Sequence, residues 1–143
     1  MAKLKTASLL IVMTMLFSGI TGCGRDNYIK FDGYYSNQQH HNGVPIFFRF
    51  YPDGTVTASL PAIANGAIQF TPNQLDKNNT KECTIRGKYV LNKNNVTFRL
   101  VDSNGTADFS GEFNKRAITL KSHSNINGKD SVTTYEFMRG NHG

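Results

Sequence analysis

Residues 46–60 read Ile-Phe-Phe-Arg-Phe-Tyr-Pro-Asp-Gly-Thr-Val-Thr-Ala-Ser-Leu, and their apolar period is two. Ile46, Phe48 and Phe50 alternate with Phe47, Arg49 and Tyr51, and Val56, Ala58 and Leu60 resume the same alternation after Pro52-Asp53-Gly54. Successive side chains of a strand point to opposite faces, so period two marks a strand with one face buried. Proline presets the turn and glycine supplies the positive φ. The stretch therefore predicts a Phe-rich β-hairpin.

The pattern continues in both directions. A strand is expected around Tyr28 to Tyr35. Downstream, Cys83, Ile85, Tyr89 and Leu91 share a face opposite Thr84, Arg86 and Lys88, Asn92 to Asn94 turn the chain, and Val96, Phe98 and Leu100 follow. Asp102-Ser103-Asn104-Gly105 makes another turn. Ala107, Phe109 and Phe113 then oppose Asp108, Ser110 and Glu112, and Asn114-Lys115 leads to Ile118 and Leu120. Asn125 to Asp130 connects to a last strand with Tyr135 and Phe137 on one face. This makes eight strands and no amphipathic helix.

Pro61 to Glu82 is the exception. A connection of that length without structure is uncommon in a compact domain unless it is functional or mobile. Ala67 to Phe70 is compatible with a short ninth strand, and the polar, Asn-rich stretch from Leu75 to Glu82 favours an exposed loop. Both a lid over a pocket and a surface excursion fit the segment.

Gly33-Tyr34-Tyr35, Gly87-Lys88-Tyr89 and Gly111-Glu112-Phe113 each place a glycine two residues before an aromatic on the same strand face. Glycine there lets a strand bend or leaves room for a neighbour, as curved sheets require. Consecutive antiparallel strands with short turns predict an all-β, up-and-down barrel of about eight strands, because closure removes exposed edges. A two-sheet sandwich is the alternative.

The opening Gly33-Tyr34-Tyr35, the hairpin from Phe48 to Val56 and the closing Tyr135-Glu136-Phe137 resemble the lipocalin-like (calycin) β-barrels, over Tyr28 to Arg139. No tryptophan stands at the opening motif, and no catalytic residue carries over. The resemblance implies a barrel whose mouth holds an apolar or amphipathic ligand.

The first 22 residues set the expected location. Lys3 and Lys5 precede an apolar run from Ala7 to Phe17, and Ser18 to Gly22 are small or apolar. This is the layout of a secretory signal, and the run is short of the roughly 20 apolar residues that span a bilayer. Ile20-Thr21-Gly22-Cys23 resembles the lipobox of bacterial lipoproteins, which implies cleavage before Cys23 and its lipidation with palmitate-type acyl chains. The expected organisation is a signal peptide over 1–22, a lipidated cysteine and tether over 23–30, one barrel domain over 31–139 and a disordered tail over 140–143. Gly24 stands where an aspartate would resemble an inner-membrane retention signal, so in a Gram-negative host the outer membrane, facing the periplasm, is the expected site.

Composition narrows the function. Of 143 residues, 18% are charged and 38% hydrophobic, which excludes a disordered polyelectrolyte and a multi-span membrane protein. Losing Lys3 and Lys5 with the leader takes the 16 basic residues to 14 against 10 acidic, and the net charge from +6 to +4. The remaining cations, such as Arg49, Lys88, Arg99, Lys115 and Lys121, are scattered singly, against a nucleic-acid partner. Cys83, alone after Cys23, is expected to act as a small buried apolar residue without a disulfide.

No residue pattern points to catalysis, a metal or a cofactor. His40 and His41 are adjacent and would point oppositely in a strand, no spaced carboxylate follows them, and His123 and His142 are expected to be solvated. Asn78, Asn95 and Asn104 open glycosylation-type triplets that an Asn-rich composition explains. The expectation is a non-enzymatic, membrane-anchored envelope lipoprotein that binds a small apolar or lipid-like ligand, with Phe48, Phe50, Tyr89, Phe98, Phe109 and Phe113 as candidate lining. The same six would equally serve as a packed core. The alternative is an interaction module, such as a hydrolase inhibitor or an accessory subunit of an envelope complex, using loops around Gln38 to Asn42 or Pro61 to Glu82.

Overall fold

The computed structural model describes residues 28–38, 44–81 and 84–140. Ten strands follow one another: β1 (Gly33–Ser36), β2 (Phe47–Phe50), β3 (Thr55–Ser59), β4 (Ala62–Ala64), β5 (Ala67–Gln69), β6 (Thr84–Asn92), β7 (Asn95–Asp102), β8 (Gly105–Asn114), β9 (Ala117–Ser124) and β10 (Asp130–Arg139). Eight of them close a barrel in the order β1-β10-β9-β8-β7-β6-β3-β2, with every pair antiparallel. β4 and β5 form a separate two-stranded sheet. The molecule is an all-β, up-and-down barrel, as the period-two pattern predicts, and not a sandwich.

Residues 46–60 form the expected hairpin, and its register sets Phe48 opposite Ala58 and Phe50 opposite Val56. Its turn closes through Gly54 N–H donating to Tyr51 O (3.1 Å) and Tyr51 N–H to Thr55 O (2.8 Å). Gly54 has φ +79°, a conformation costly for any residue with a Cβ.

The repeated glycines mark places where strands nearly touch. A Cβ at Gly111 would run into the carbonyl oxygen of Thr119, and one at Gly87 into that of Arg99. Gly33 meets the Met138 carbonyl in the same way. Each of these positions needs a residue without a side chain because a neighbouring backbone fills the space.

Turns at 51–54, 93–94 and 115–116, together with residues 28–32, lie at one end, here the lower end. The upper end carries the ends of β1 and β3, the starts of β2 and β6, and the turns at 103–104 and 125–129. The lower interior is filled by aromatics: Phe50 packs edge-on against Tyr35, Tyr89, Phe98 and Phe113 at centroid distances of 5.3–5.8 Å. Fully burying a side chain of this size contributes roughly 1.5–3 kcal/mol, so this cluster dominates the core.

The chain before β1 closes the lower end. The strand expected around Tyr28 starts only at Gly33, because Ile29 turns into the core at 8% exposure and Lys30 N–H donates to Tyr35 Oη (3.0 Å). Among the described residues, contacts with the barrel begin at Ile29, inside the stretch expected as tether, and extend to Gly140, whose N–H donates to Asp32 O. The described core cluster is drawn from Ile29 to Phe137, and the eight strands that close the barrel all lie between Gly33 and Arg139.

The long connection runs down the outer wall of β2 and β3. Phe70 stacks on Phe47 (3.6 Å, 7° between rings) and meets Tyr34 edge-on. A 3-10 turn at Pro72–Leu75 buries Leu75 completely. The Leu75 carbonyl accepts from Tyr51 Oη (2.6 Å) and Thr57 Oγ1 (2.7 Å), and Thr84 Oγ1 donates to Gln74 O. The segment is thus a strap on the wall. Ala67–Gln69 is indeed a strand, but it pairs with Ala62–Ala64 and not with the barrel. Of the stretch expected as an exposed loop, its first residue, Leu75, is a buried anchor.

Candidate functional site

The upper end of the barrel is concave. Above the aromatic floor lies a cavity of about 170 Å³ whose wall is almost wholly apolar. β2 and β3 bring Ile46, Phe48, Ala58 and Leu60 to it, because the alternation of residues 46–60 turns these side chains inward. Ile85 on β6, Leu100 on β7, and Ala107 and Phe109 on β8 complete the wall.

Ile126 closes one side from the turn after β9. Its position is set by neighbours: Asn125 N–H donates to Thr106 O (2.9 Å), and Asn125 Nδ2 donates to Thr106 Oγ1 (2.9 Å) and Asp108 Oδ2 (3.0 Å). Gly105, at φ +148°, makes room, since a Cβ there would stand 2.6 Å from Ile126 Cγ1. Asp102 at the rim is engaged by its own turn, accepting from the N–H groups of Asn104 (2.7 Å) and Gly105 (3.0 Å).

The six expected lining residues divide between cavity and floor. Phe48 and Phe109 line the cavity, with ring centroids 5.5 Å apart. Phe98 stacks behind Phe109 (4.8 Å, 8°). Phe50 and Phe113 lie deeper and are fully packed, and Tyr89 is pinned at the lower end by its hydroxyl donating to Tyr51 O (2.7 Å). Ile46, Leu60, Ile85, Leu100 and Ile126 join the site without having been singled out. Ile126 had a sequence signal, an isolated branched apolar residue inside the polar turn from Asn125 to Asp130.

Several apolar side chains stay exposed around the mouth. Leu60 is 48% and Ile126 58% exposed at the opening, and Val101, in the outer groove that Leu60 also borders, is 57% exposed. Apolar residues on separate loops around one opening form a rim that water solvates poorly.

Polar groups collect on the outer face instead. Arg99 holds Asp108 through two hydrogen bonds (2.6 and 3.0 Å), and the guanidinium, aided by Asn125, lowers the Asp108 carboxyl to about 2. His123 Nδ1 lies 2.7 Å from Asp130 Oδ1. Among the described residues, no three His, Cys, Asp or Glu side chains gather where they could hold a metal ion. Cys23, Cys83, His40, His41 and His142 lie outside the described residues, as does most of the loop from Gln38 to Asn42.

Fold and site together define a small closed β-barrel with an apolar cavity at one mouth. Compared with protein-family models, curated proteins and solved structures, the chain matches none.

Proposed function

We propose that this protein is a non-enzymatic lipoprotein of the bacterial cell envelope, held to a membrane by a lipidated Cys23, that binds a small apolar ligand in its upper mouth. In a Gram-negative host it sits on the outer membrane and faces the periplasm. The observation that carries the binding reading is the cavity: concave, apolar and bordered by exposed Leu60 and Ile126. Ligand sites are concave and mostly apolar, and an apolar cavity of about 150 Å³ holds a benzene-sized guest. A volume of about 170 Å³ accordingly takes one ring or the end of an alkyl chain, with the rest of a lipid-like ligand outside.

Ala107→Leu tests the site by filling it. Displacement of an apolar fluorescent probe from wild type should be saturable, and the variant should lose it while keeping its thermal transition. Undiminished binding by a folded variant would overturn the cavity as the site. The anchor is tested separately: Cys23→Ser should abolish acyl incorporation and release the full chain from membranes.

A second reading rests on the rim. Leu60 and Ile126 stand exposed at the same opening, and Val101 lies beside Leu60 in the adjoining outer groove, which suits a socket for an apolar side chain of an envelope protein. Crosslinked partner lost on Val101→Ser, with probe binding intact, would favour this reading over a small ligand.

A further inference from the structure

The lower end of the barrel differs chemically from the mouth. Three of its exposed cations sit at hairpin tips: Lys93 between β6 and β7, and Lys115 and Arg116 between β8 and β9. None of the three forms a salt bridge with a described residue. Lys30 lies at the same end, its ammonium 5.2 Å from the Phe137 ring centroid. The acids at the rim are already engaged, Asp32 with Arg139 (3.6 Å) and Asp53 with Lys77 (2.8 Å). Glu112, which accepts from Asn94, and Glu136, opposite Ala117, lie beside the same tips and are outnumbered by Lys30, Lys93, Lys115 and Arg116. A surplus of positive charge therefore surrounds this opening.

Apolar groups accompany it. Tyr28 is 69% exposed where the described chain begins, and Leu91 is 40% exposed beside the Lys93 turn. Lysine and arginine with exposed aromatic and aliphatic groups suit a membrane interface, where cations meet anionic headgroups and amphipathic rings sit at headgroup level. The chain before Tyr28 leads from this end, and Tyr28 is five residues from Cys23, at most about 18 Å of extended backbone.

We infer that the lower end of the barrel docks on an anionic lipid surface, through Lys30, Lys93, Lys115 and Arg116, so that the apolar mouth faces the aqueous phase. The occupant is a bilayer because the tether holds the cationic end within reach of one. The acyl chains supply the attachment, and the basic patch sets which end of the barrel meets the headgroups. The inference rests on the anchored-lipoprotein reading for its orientation, and it implies that the ligand arrives from the water side and not directly from the anchoring bilayer.

The test uses the chain from residue 23 with Cys23→Ser, which retains all eight barrel strands and carries no acyl group. It should float with vesicles containing 30% phosphatidylglycerol at low salt, not with pure phosphatidylcholine vesicles, and binding should fall as salt shortens the electrostatic range. Each cation near the surface contributes about fivefold in partitioning, so Lys93→Asn/Lys115→Gln/Arg116→Gln should weaken binding about a hundredfold. Asparagine keeps the left-handed turn that Lys93 adopts at φ +56°. Lys121→Gln/Lys129→Gln, on β9 and the upper turn, should leave binding unchanged.

No binding to anionic vesicles, or equal loss from both sets of substitutions, overturns the docking. If docking fails while Cys23→Ser still releases the full chain, the anchor reading stands alone. If vesicle binding holds while that substitution leaves the full chain attached, the anchor reading falls instead.

Discussion

The wall made by β2 and β3 and the wall made by β7 to β10 carry similar alternating sequences and meet different solvents. On β3 all five residues are buried, including Thr57 and Ser59 at 0% exposure on the outward face. On β7 burial alternates as the sequence does, with Val96, Phe98 and Leu100 inside and Thr97, Arg99 and Val101 in water. The strap makes the difference. Alternation reports which residues face the interior, and it is silent about what a distant segment lays over the other face.

That cover has a cost. Ser59 Oγ and Arg49 Nε are buried without a hydrogen-bond partner among the described residues, whereas the outward polar groups of β7 and β8 meet water or each other. An unmet buried polar group costs about 1–3 kcal/mol. The Phe47–Phe70 stack, buried Leu75 and the two hydroxyl bonds to its carbonyl offset that cost.

Four substitutions or titrations test the contrast. Phe50→Ala removes the ring at the centre of the core shared by both walls and should destabilise by roughly 3–5 kcal/mol in denaturant unfolding. Leu75→Ala reaches only the strap; it should cost about 2–4 kcal/mol if strap and barrel unfold together. A loss under 1 kcal/mol, with the strap cleaved early by protease, would show that the cover is an independent layer.

A smaller effect concerns Tyr35 and Tyr135, whose hydroxyls are pushed by burial from 10.0 to about 12. The neutral form is favoured by the fold, so this stabilisation is complete below pH 10 and is lost as pH rises through 12, by roughly 1.4 kcal/mol per unit. Tyr35→Phe should flatten part of the alkaline fall in stability between those values. The least effect belongs to the solvated wall: Asp108→Asn breaks the exposed pair with Arg99 and should leave the melting temperature near neutral pH unchanged within error, since exposed ion pairs contribute little. The depressed Asp108 carboxyl contributes above its unfolded value of 3.8 and loses that contribution as pH falls through about 2.

Much of the architecture was legible. Ile46, Phe48, Phe50, Val56 and Ala58 could be assigned inward because strand geometry repeats every two residues, and turn residues such as Gly54 marked the reversals. The glycines before Tyr35, Tyr89 and Phe113 were readable as places of close approach, though not as contacts with the carbonyls of Met138, Arg99 and Thr119. Phe47 was the visible anomaly, a large apolar residue among outward positions, and its partner Phe70 lies 23 residues away in a segment with weak periodicity. Of the candidate lining, Phe48 and Phe109 reach the cavity, whereas Phe50 and Phe113 fill the floor. Periodicity gives a residue its face but not its height along the barrel axis.

Local sequence, then, determined that the chain forms antiparallel hairpins with an aromatic interior, because side-chain alternation and turn chemistry act over a few residues. Tertiary structure alone decided that β1 meets β10, that the strap covers β2 and β3, and that Ile126 from one turn borders a cavity lined by Phe48 and Phe109. It also gathered Lys30, Lys93, Lys115 and Arg116 at one end, though they are scattered along the chain. These are contacts between residues far apart in sequence, set by how the barrel closes and stacks, and no local pattern specifies that distance.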